Sequence, residues 1–214
     1  MDKEEFELLK KLRTSGLNST ELLDIFYSHR ENYRIVLNLI QHPAFPERTA
    51  LDTISSFFSP DLIRIIKNKR TNPFIRKKCE IEFLQRYNKI PKGEKISYMR
   101  TAPLSLLDYF IEEKDEEILK VILSNIYCTE DHVIKLINRK SSKAFLYRML
   151  LDSEWITLQR VCNAISYDRE APISIWLKII PFIDKKRLIS VANSEKTHEI
   201  IKKNIEEFIR KKNI

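Results

Sequence analysis

The sequence predicts an all-α fold, a right-handed α-solenoid of stacked short helix pairs, and three observations carry that prediction. Three segments superpose without a gap: SPDLIRIIKN from Ser59, TEDHVIKLIN from Thr129 and DKKRLISVAN from Asp184. Each opens on a helix-capping residue and places apolar side chains at its fifth and eighth positions (Ile63 and Ile66, Val133 and Leu136, Leu188 and Val191). Each closes on Asn68, Asn138 or Asn193; a second capping residue follows (Asn72, Ser142, Thr197), then another apolar one (Ile75, Phe145, Ile200). The unit reads as cap, short helix, polar turn, cap, second helix, and one such pair buries its apolar face only against a neighbour. Glycine is the second observation: the chain holds two, Gly16 and Gly93, where average usage of about 7% gives roughly fifteen. The third is the absence of the period-two alternation that a half-buried strand needs. A compact all-α bundle with coincidental cap spacing is the alternative.

Element by element, residues 3 to 13 carry Phe6, Leu8, Leu9 and Leu12 on a helical period, with Gly16 as the stop. Asn18 followed by Glu21 reads as a capping box for a helix holding Leu22, Leu23, Ile25 and Phe26. A third helix spans about Asn32 to Gln41, closed by His42-Pro43 because the residue before proline leaves the helical region. The next begins near Pro46 and buries Ala50, Leu51, Ile54 and Phe57. Ser59-Pro60 and Asn72-Pro73 are caps followed by proline, which loses only an N–H that had no intrahelical partner. Tyr87 to Pro103 combines Gly93 with two prolines and reads as an irregular stretch or hinge. Helices follow over about 104–113 and 115–125, then one capped by Ser153 with Trp155, Leu158, Val161, Cys162 and Ile165. Pro172 starts another with Ile175, Trp176 and Ile179, and the last runs from Thr197 to about Lys211. Residues 1–42 read as N-terminal capping helices and 43–214 as helical repeats continuous with them.

Composition excludes several function classes. Phosphate-cradling loops, dinucleotide fingerprints and nucleophile elbows need clustered glycines, and two isolated ones cannot build them. Cys79, Cys128 and Cys162 are odd in number and widely spaced, which argues for buried hydrophobes in a reducing compartment. The charged N-terminus lacks a signal-peptide core, and the apolar stretch IWLKIIPFI is broken by Lys178 and Pro181. A cytoplasmic location with no membrane contact is the expectation.

The segments HPAFPERTALDTISSFFSPDLIRII, KGEKISYMRTAP, SNIYCTEDHVIKLIN and DREAPISIWLKIIPFIDKKRLISVANS, in that order, resemble bacterial α-solenoids of the HEAT or armadillo-like sort. The repeat-turn pattern of such proteins survives only partly, in His42-Pro43 with Pro46 and in Asp168 to Pro172. The resemblance implies a partner-binding scaffold and transfers no catalytic residue, cofactor or metal.

Charge is the feature with functional content. Between Arg64 and Arg100 stand twelve Lys or Arg against three acids, a net +9 over 37 residues, while the other 177 residues hold 26 basic and 27 acidic side chains. Lys67, Lys69, Arg70, Arg76, Lys77, Lys78, Lys89 and Lys92 are the candidate partner-binding residues, and Lys67, Lys69, Arg70 and Lys77 flank one inter-helix turn. Such a field draws an acidic protein surface or a polyanion; a plainly solvated basic face is the competing reading. Phe74 and Phe83 fall on the apolar stripe, which leaves Tyr87 and Tyr98 as exposed stacking platforms. The acids from Asp108 to Glu117 read as a solvated turn that compensates a helix dipole. His29, His42, His132 and His198 lack metal-ligand spacing, and Trp155 and Trp176 lie on apolar periods. The function expected is a non-enzymatic scaffold for a protein partner, with no small-molecule substrate. Nucleic-acid binding through segment 64–100, with a link to DNA repair, is the alternative.

Overall fold

Helices form on the apolar stripes with or without a side-chain cap: Pro46, Phe58, Pro91, Leu158 and Pro172 precede helices without a cap hydrogen bond, and Ser59, expected as a cap, is instead a first helical residue. The computed structural model describes residues 3–14, 16–139 and 143–212, and among them it holds fifteen α-helices, two 3-10 turns and no strand. The chain divides into two compact units, Met1–Leu106 and Leu107–Ile214. The first carries α1 (Lys3–Leu12), α2 (Ser19–Ser28), α3 (Tyr33–Leu39), α4 (Glu47–Ile54), α5 (Ser59–Lys67), α6 (Pro73–Tyr87) and α7 (Lys92–Met99). The division falls within α8 (Leu104–Phe110). The second unit carries α9 (Glu116–Leu123), α10 (Glu130–Ile137), α11 (Ala144–Leu151), α12 (Gln159–Tyr167), α13 (Ile173–Ile179), α14 (Lys185–Ala192) and α15 (Glu199–Lys212). Its 3-10 turns are Glu154–Thr157 and Ile180–Phe182.

Local chemistry sets the boundaries. The Asn18 side chain accepts the Glu21 N–H at 3.0 Å while the Glu21 carboxylate accepts the Asn18 N–H at 2.9 Å, a complete capping box. Asn32, Asn72 and Asp115 cap α3, α6 and α9 by the first half of that device, their side chains accepting backbone N–H groups of the opening turn. The three superposable segments become α5, α10 and α14. All six of their fifth- and eighth-position apolar residues are buried, and Asn68, Asn138 and Asn193 each occupy the C-cap. In α5 the buried set is Leu62, Ile63, Ile65 and Ile66, each contributing about 1.5–3 kcal/mol. The second half of the motif is looser. Ile75 is buried and Phe145 half-buried, but Ile200 is 47% exposed and Ile201 takes its place in the core. His198, not Thr197, starts α15, its Nδ1 accepting the Ile200 N–H at 3.2 Å, and Ser142 lies outside the described residues.

Four other expectations change. The supposed hinge contains α7: Pro91 is its N-cap and Ile90 and Met99 are buried, so the proline marks a helix start. Leu51 faces outward on α4. The helix expected after Ser153 splits at Leu158 into a 3-10 turn and α12. Finally, α1 ends at Leu12, four residues before Gly16, with the Thr14 hydroxyl donating to the Lys11 carbonyl.

Within each unit, packing links neighbouring helices and also alternate ones. The alternate pairs are α1 with α3, α4 with α6, α10 with α12, α11 with α13, and α13 with α15. Cations reinforce these links by reaching back to the carbonyl end of the helix two before, where unpaired C=O groups collect. Arg86 donates to the Phe57 carbonyl at 2.6 Å and the Ser55 carbonyl at 2.7 Å. Arg139 donates to the Ile111 and Glu113 carbonyls at 2.6 and 3.0 Å. Lys178 reaches the Leu151 carbonyl at 2.8 Å, and Arg187 the Ser166 carbonyl at 2.5 Å. No buried polar side-chain atom among the described residues lacks a hydrogen-bond partner.

Candidate functional site

The turn between α5 and α6 gathers the first basic group because the helices pack side by side, bringing the last turn of one against the first turn of the other. Lys67 ends α5, Lys69 and Arg70 lie in the turn, and Arg76, Lys77 and Lys78 sit in the opening turns of α6. Lys89 and Lys92 are separated from them by the length of α6, whose fifteen residues span about 22 Å. The eight candidates therefore form two groups at opposite ends of one helix.

Their commitments differ. Arg70 donates to the Arg13 carbonyl at 3.0 Å, tying the turn to the end of α1, and Arg76 to the Thr71 carbonyl at 3.2 Å, bracing the turn itself. Lys77 pairs at 3.0 Å with Glu80, which is 6% exposed and also accepts the Ser105 hydroxyl. Lys78 rests 5.4 Å above the Phe74 ring. The side chains of Lys67, Lys69 and Lys89 are exposed and make no ion pair or hydrogen bond among the described residues.

The aromatic expectation holds for Phe83 and fails for Phe74. Phe83 is buried, whereas Phe74 is 40% and Ile81 41% exposed. Phe74, Lys77, Lys78 and Ile81 stand at i, i+3, i+4 and i+7 and so share one outward face of α6. Tyr98 packs edge-on against Phe83 with centroids 5.6 Å apart, and its hydroxyl donates to Glu94 at 2.9 Å. Burial and that carboxylate push the Tyr98 hydroxyl up to about 12. Tyr87 is covered by the Lys95 ammonium at 4.4 Å. Neither tyrosine is a bare stacking platform.

The arrangement nearest to a catalytic one lies in the second unit. Thr129 Oγ1 is 2.8 Å from His132 Nδ1, and Asp108 Oδ1 is 3.7 Å from His132 Nε2. His132 Nδ1 also accepts the Thr129 N–H at 3.0 Å, so the Thr–His contact is the capping box of α10. The Asp108 separation exceeds hydrogen-bond reach, and Lys135 engages that carboxylate at 2.5 Å, holding it below the usual range. The acidic turn is built likewise: Asp115 accepts the N–H groups of Glu117 and Ile118. Among the described residues no group of three or more His, Cys, Asp or Glu is placed to hold a metal ion, and no helix is long and apolar enough to cross a membrane.

Sequence reasoning missed the back-reaching cations, whose partners lie 21 to 31 residues away. It also missed a second basic stretch, Lys185 to Lys212, with nine Lys or Arg against four acids, which local net charge alone reveals. Compared with protein-family models, curated proteins and solved structures, the chain matches none.

Proposed function

We propose that the chain is a non-enzymatic helical-repeat scaffold that binds an acidic protein partner through the basic and apolar face of α6 and the α5–α6 turn. The contacts between alternate helices and the carbonyl-capping cations support reading each unit as a stacked repeat of the right-handed solenoid kind, in which every helix pair closes its neighbour's core. The observation that carries the binding assignment is the outward row of Phe74, Lys77, Lys78 and Ile81 beside the uncommitted Lys67 and Lys69. Apolar side chains anchor a partner by desolvation while flanking cations steer it and set the register. Nucleic acid would use the same cations, but phosphate binding gains little from Ile81.

Titration of the full chain against a labelled amphipathic peptide alternating Glu and Leu at helical spacing, beside duplex and single-stranded DNA, tests this. The peptide is expected to bind, to weaken about tenfold from low to physiological salt, and to be released by Lys67→Glu, Lys69→Glu and Lys78→Glu together. DNA binding tighter than peptide binding, unaffected by Phe74→Ala, favours the nucleic-acid alternative.

A further inference from the structure

A cavity of 610 Å³ opens in the second unit among the end of α12, the start of α13, α14 and the residues leading into α15. That volume suits a small ligand. Its lining has two characters. Pro172, Ile173, Trp176, Val191 and Ile201 supply an apolar wall. Arg169, Arg187, Lys196 and His198 supply nitrogen donors, with the hydroxyls of Ser190, Ser194 and Thr197 between them.

The charge balance is one-sided. Asp168 is the single carboxylate in the lining, and it is already satisfied. Its Oδ2 accepts from Lys143 at 2.7 Å and from the Tyr147 hydroxyl, and its Oδ1 accepts the Glu170 N–H at 3.0 Å. Arg169 and Lys196 make no ion pair or hydrogen bond among the described residues, and neither do the three hydroxyls. Arg187 is pre-organised: its Nε donates to Ser166 Oγ at 2.9 Å, its Nη2 to the Ser166 carbonyl at 2.5 Å, and its guanidinium carbon lies 3.8 Å from the Tyr167 ring centroid. Nη1 takes no part in those bonds. A guanidinium already fixed in plane loses little entropy on binding an anion. His198 Nδ1 accepts the Ile200 N–H, so the ring proton sits on Nε2, a further donor.

Two other cavities lack this combination of unpaired cations and apolar wall. One, of 470 Å³, sets Lys143 and Arg148 beside Glu170; the other, of 600 Å³, shares Tyr167, Arg187 and Ser190 with the first and is equally cationic, but it lacks the wall of Pro172, Trp176 and Ile201.

We propose that the α12–α15 cavity binds a small phosphorylated ligand with an aromatic or apolar body, the phosphate held by Arg187, Arg169 and Lys196 and the body against Trp176 and Pro172. A carboxylate has two oxygens for this donor set, whereas a terminal phosphoryl group offers three oxygens and nearly two charges. The site shares no residue with the α6 face, so either assignment can fail without the other.

Calorimetric titration of the full chain with ADP and with pyrophosphate, alongside tryptophan emission from Trp176, tests the proposal. ADP is expected to bind about tenfold more tightly than pyrophosphate because only ADP covers the apolar wall. The pair Arg169→Ala and Lys196→Ala is expected to weaken ADP about tenfold or more, with an unchanged thermal melt because neither side chain makes an ion pair or hydrogen bond among the described residues. Arg187 stays in place because it holds the end of α12. Lys69→Glu with Lys78→Glu, in the other unit, is expected to leave ADP affinity unaltered. Absence of ADP binding up to about 1 mM, an Arg169→Ala/Lys196→Ala variant that binds like the parent chain, or equal affinity for ADP and pyrophosphate overturns it.

Discussion

The α5–α6 turn and the α12–α15 cavity use the same residue types to different ends. In the first, lysines on long flexible stems stand on an outward face, and the arginines beside them are occupied in holding the turn. In the second, an arginine is bonded at two points and stacked on an aromatic ring inside a concave space. Net charge therefore locates a field but does not identify a site. Solvated ammonium groups steer a large partner, whereas a fixed guanidinium with vacant neighbours recognises a small one.

The two units also rest on different polar supports, and both tryptophans, Trp155 and Trp176, lie in the second. Tryptophan emission thus reads that unit alone, while circular dichroism reads both. The largest expected effect is at Asp168, whose side chain is 9% exposed and paired with Lys143. Asp168→Ala leaves the Lys143 ammonium buried and unpaired and is expected to cost about 3 kcal/mol, seen as an earlier emission transition in urea. Burial alone raises the Asp168 carboxyl, but Lys143, Tyr147 and the Glu170 N–H outweigh it and hold the group below the usual range. A depressed folded value means its contribution is present above the unfolded value, about pH 4, and is lost as pH falls through the folded one. Tyr147 has the opposite sign: burial and Asp168 raise its hydroxyl, so its contribution is whole below about pH 10 and fades above. The emission-detected Tm is expected to drop at both extremes in the parent chain and to fall less steeply on the acid side in Asp168→Asn, where Asp108 still contributes.

In the first unit, Arg86→Ala frees the Ser55 and Phe57 carbonyls and is expected to cost about 1–2 kcal/mol, visible by circular dichroism but not by emission. Smaller still is the effect of Lys67→Glu, Lys69→Glu and Lys78→Glu on stability, within about 0.5 kcal/mol, although partner binding is lost. The thiols give a change of zero. Burial pushes Cys79 and Cys162 up to about 12 and Cys128 up to about 11, so the native chain is expected not to react with a thiol reagent at about pH 8 until urea unfolds it.

What the sequence disclosed follows from the range of each interaction. Caps and stripes act over three or four residues, so Asn18 with Glu21, the six buried motif positions and the three closing asparagines were legible. Pro91 misled because a proline at a helix start and one in a loop look alike until Ile90 and Met99 are seen to be buried. Leu51 and Phe74 misled for another reason: periodicity identifies a stripe but does not say whether a neighbour covers it. Arg86, Arg139 and Arg187 were invisible as structural residues, since their partners lie two helices away and the alternate-helix packing must be known first. The cavity needed the same knowledge, because Arg169, Arg187 and Lys196 line one space only once the end of α12, α14 and the residues before α15 are placed together.

The most direct test of partner binding by the α6 face is a salt-dependent anisotropy titration of the acidic amphipathic peptide against the parent chain and against Phe74→Ala with Ile81→Ala. The expected result is binding that weakens with salt in the parent and about tenfold lower affinity in the variant at every salt concentration. Equal affinity in both proteins, or no binding even at low salt, contradicts the assignment.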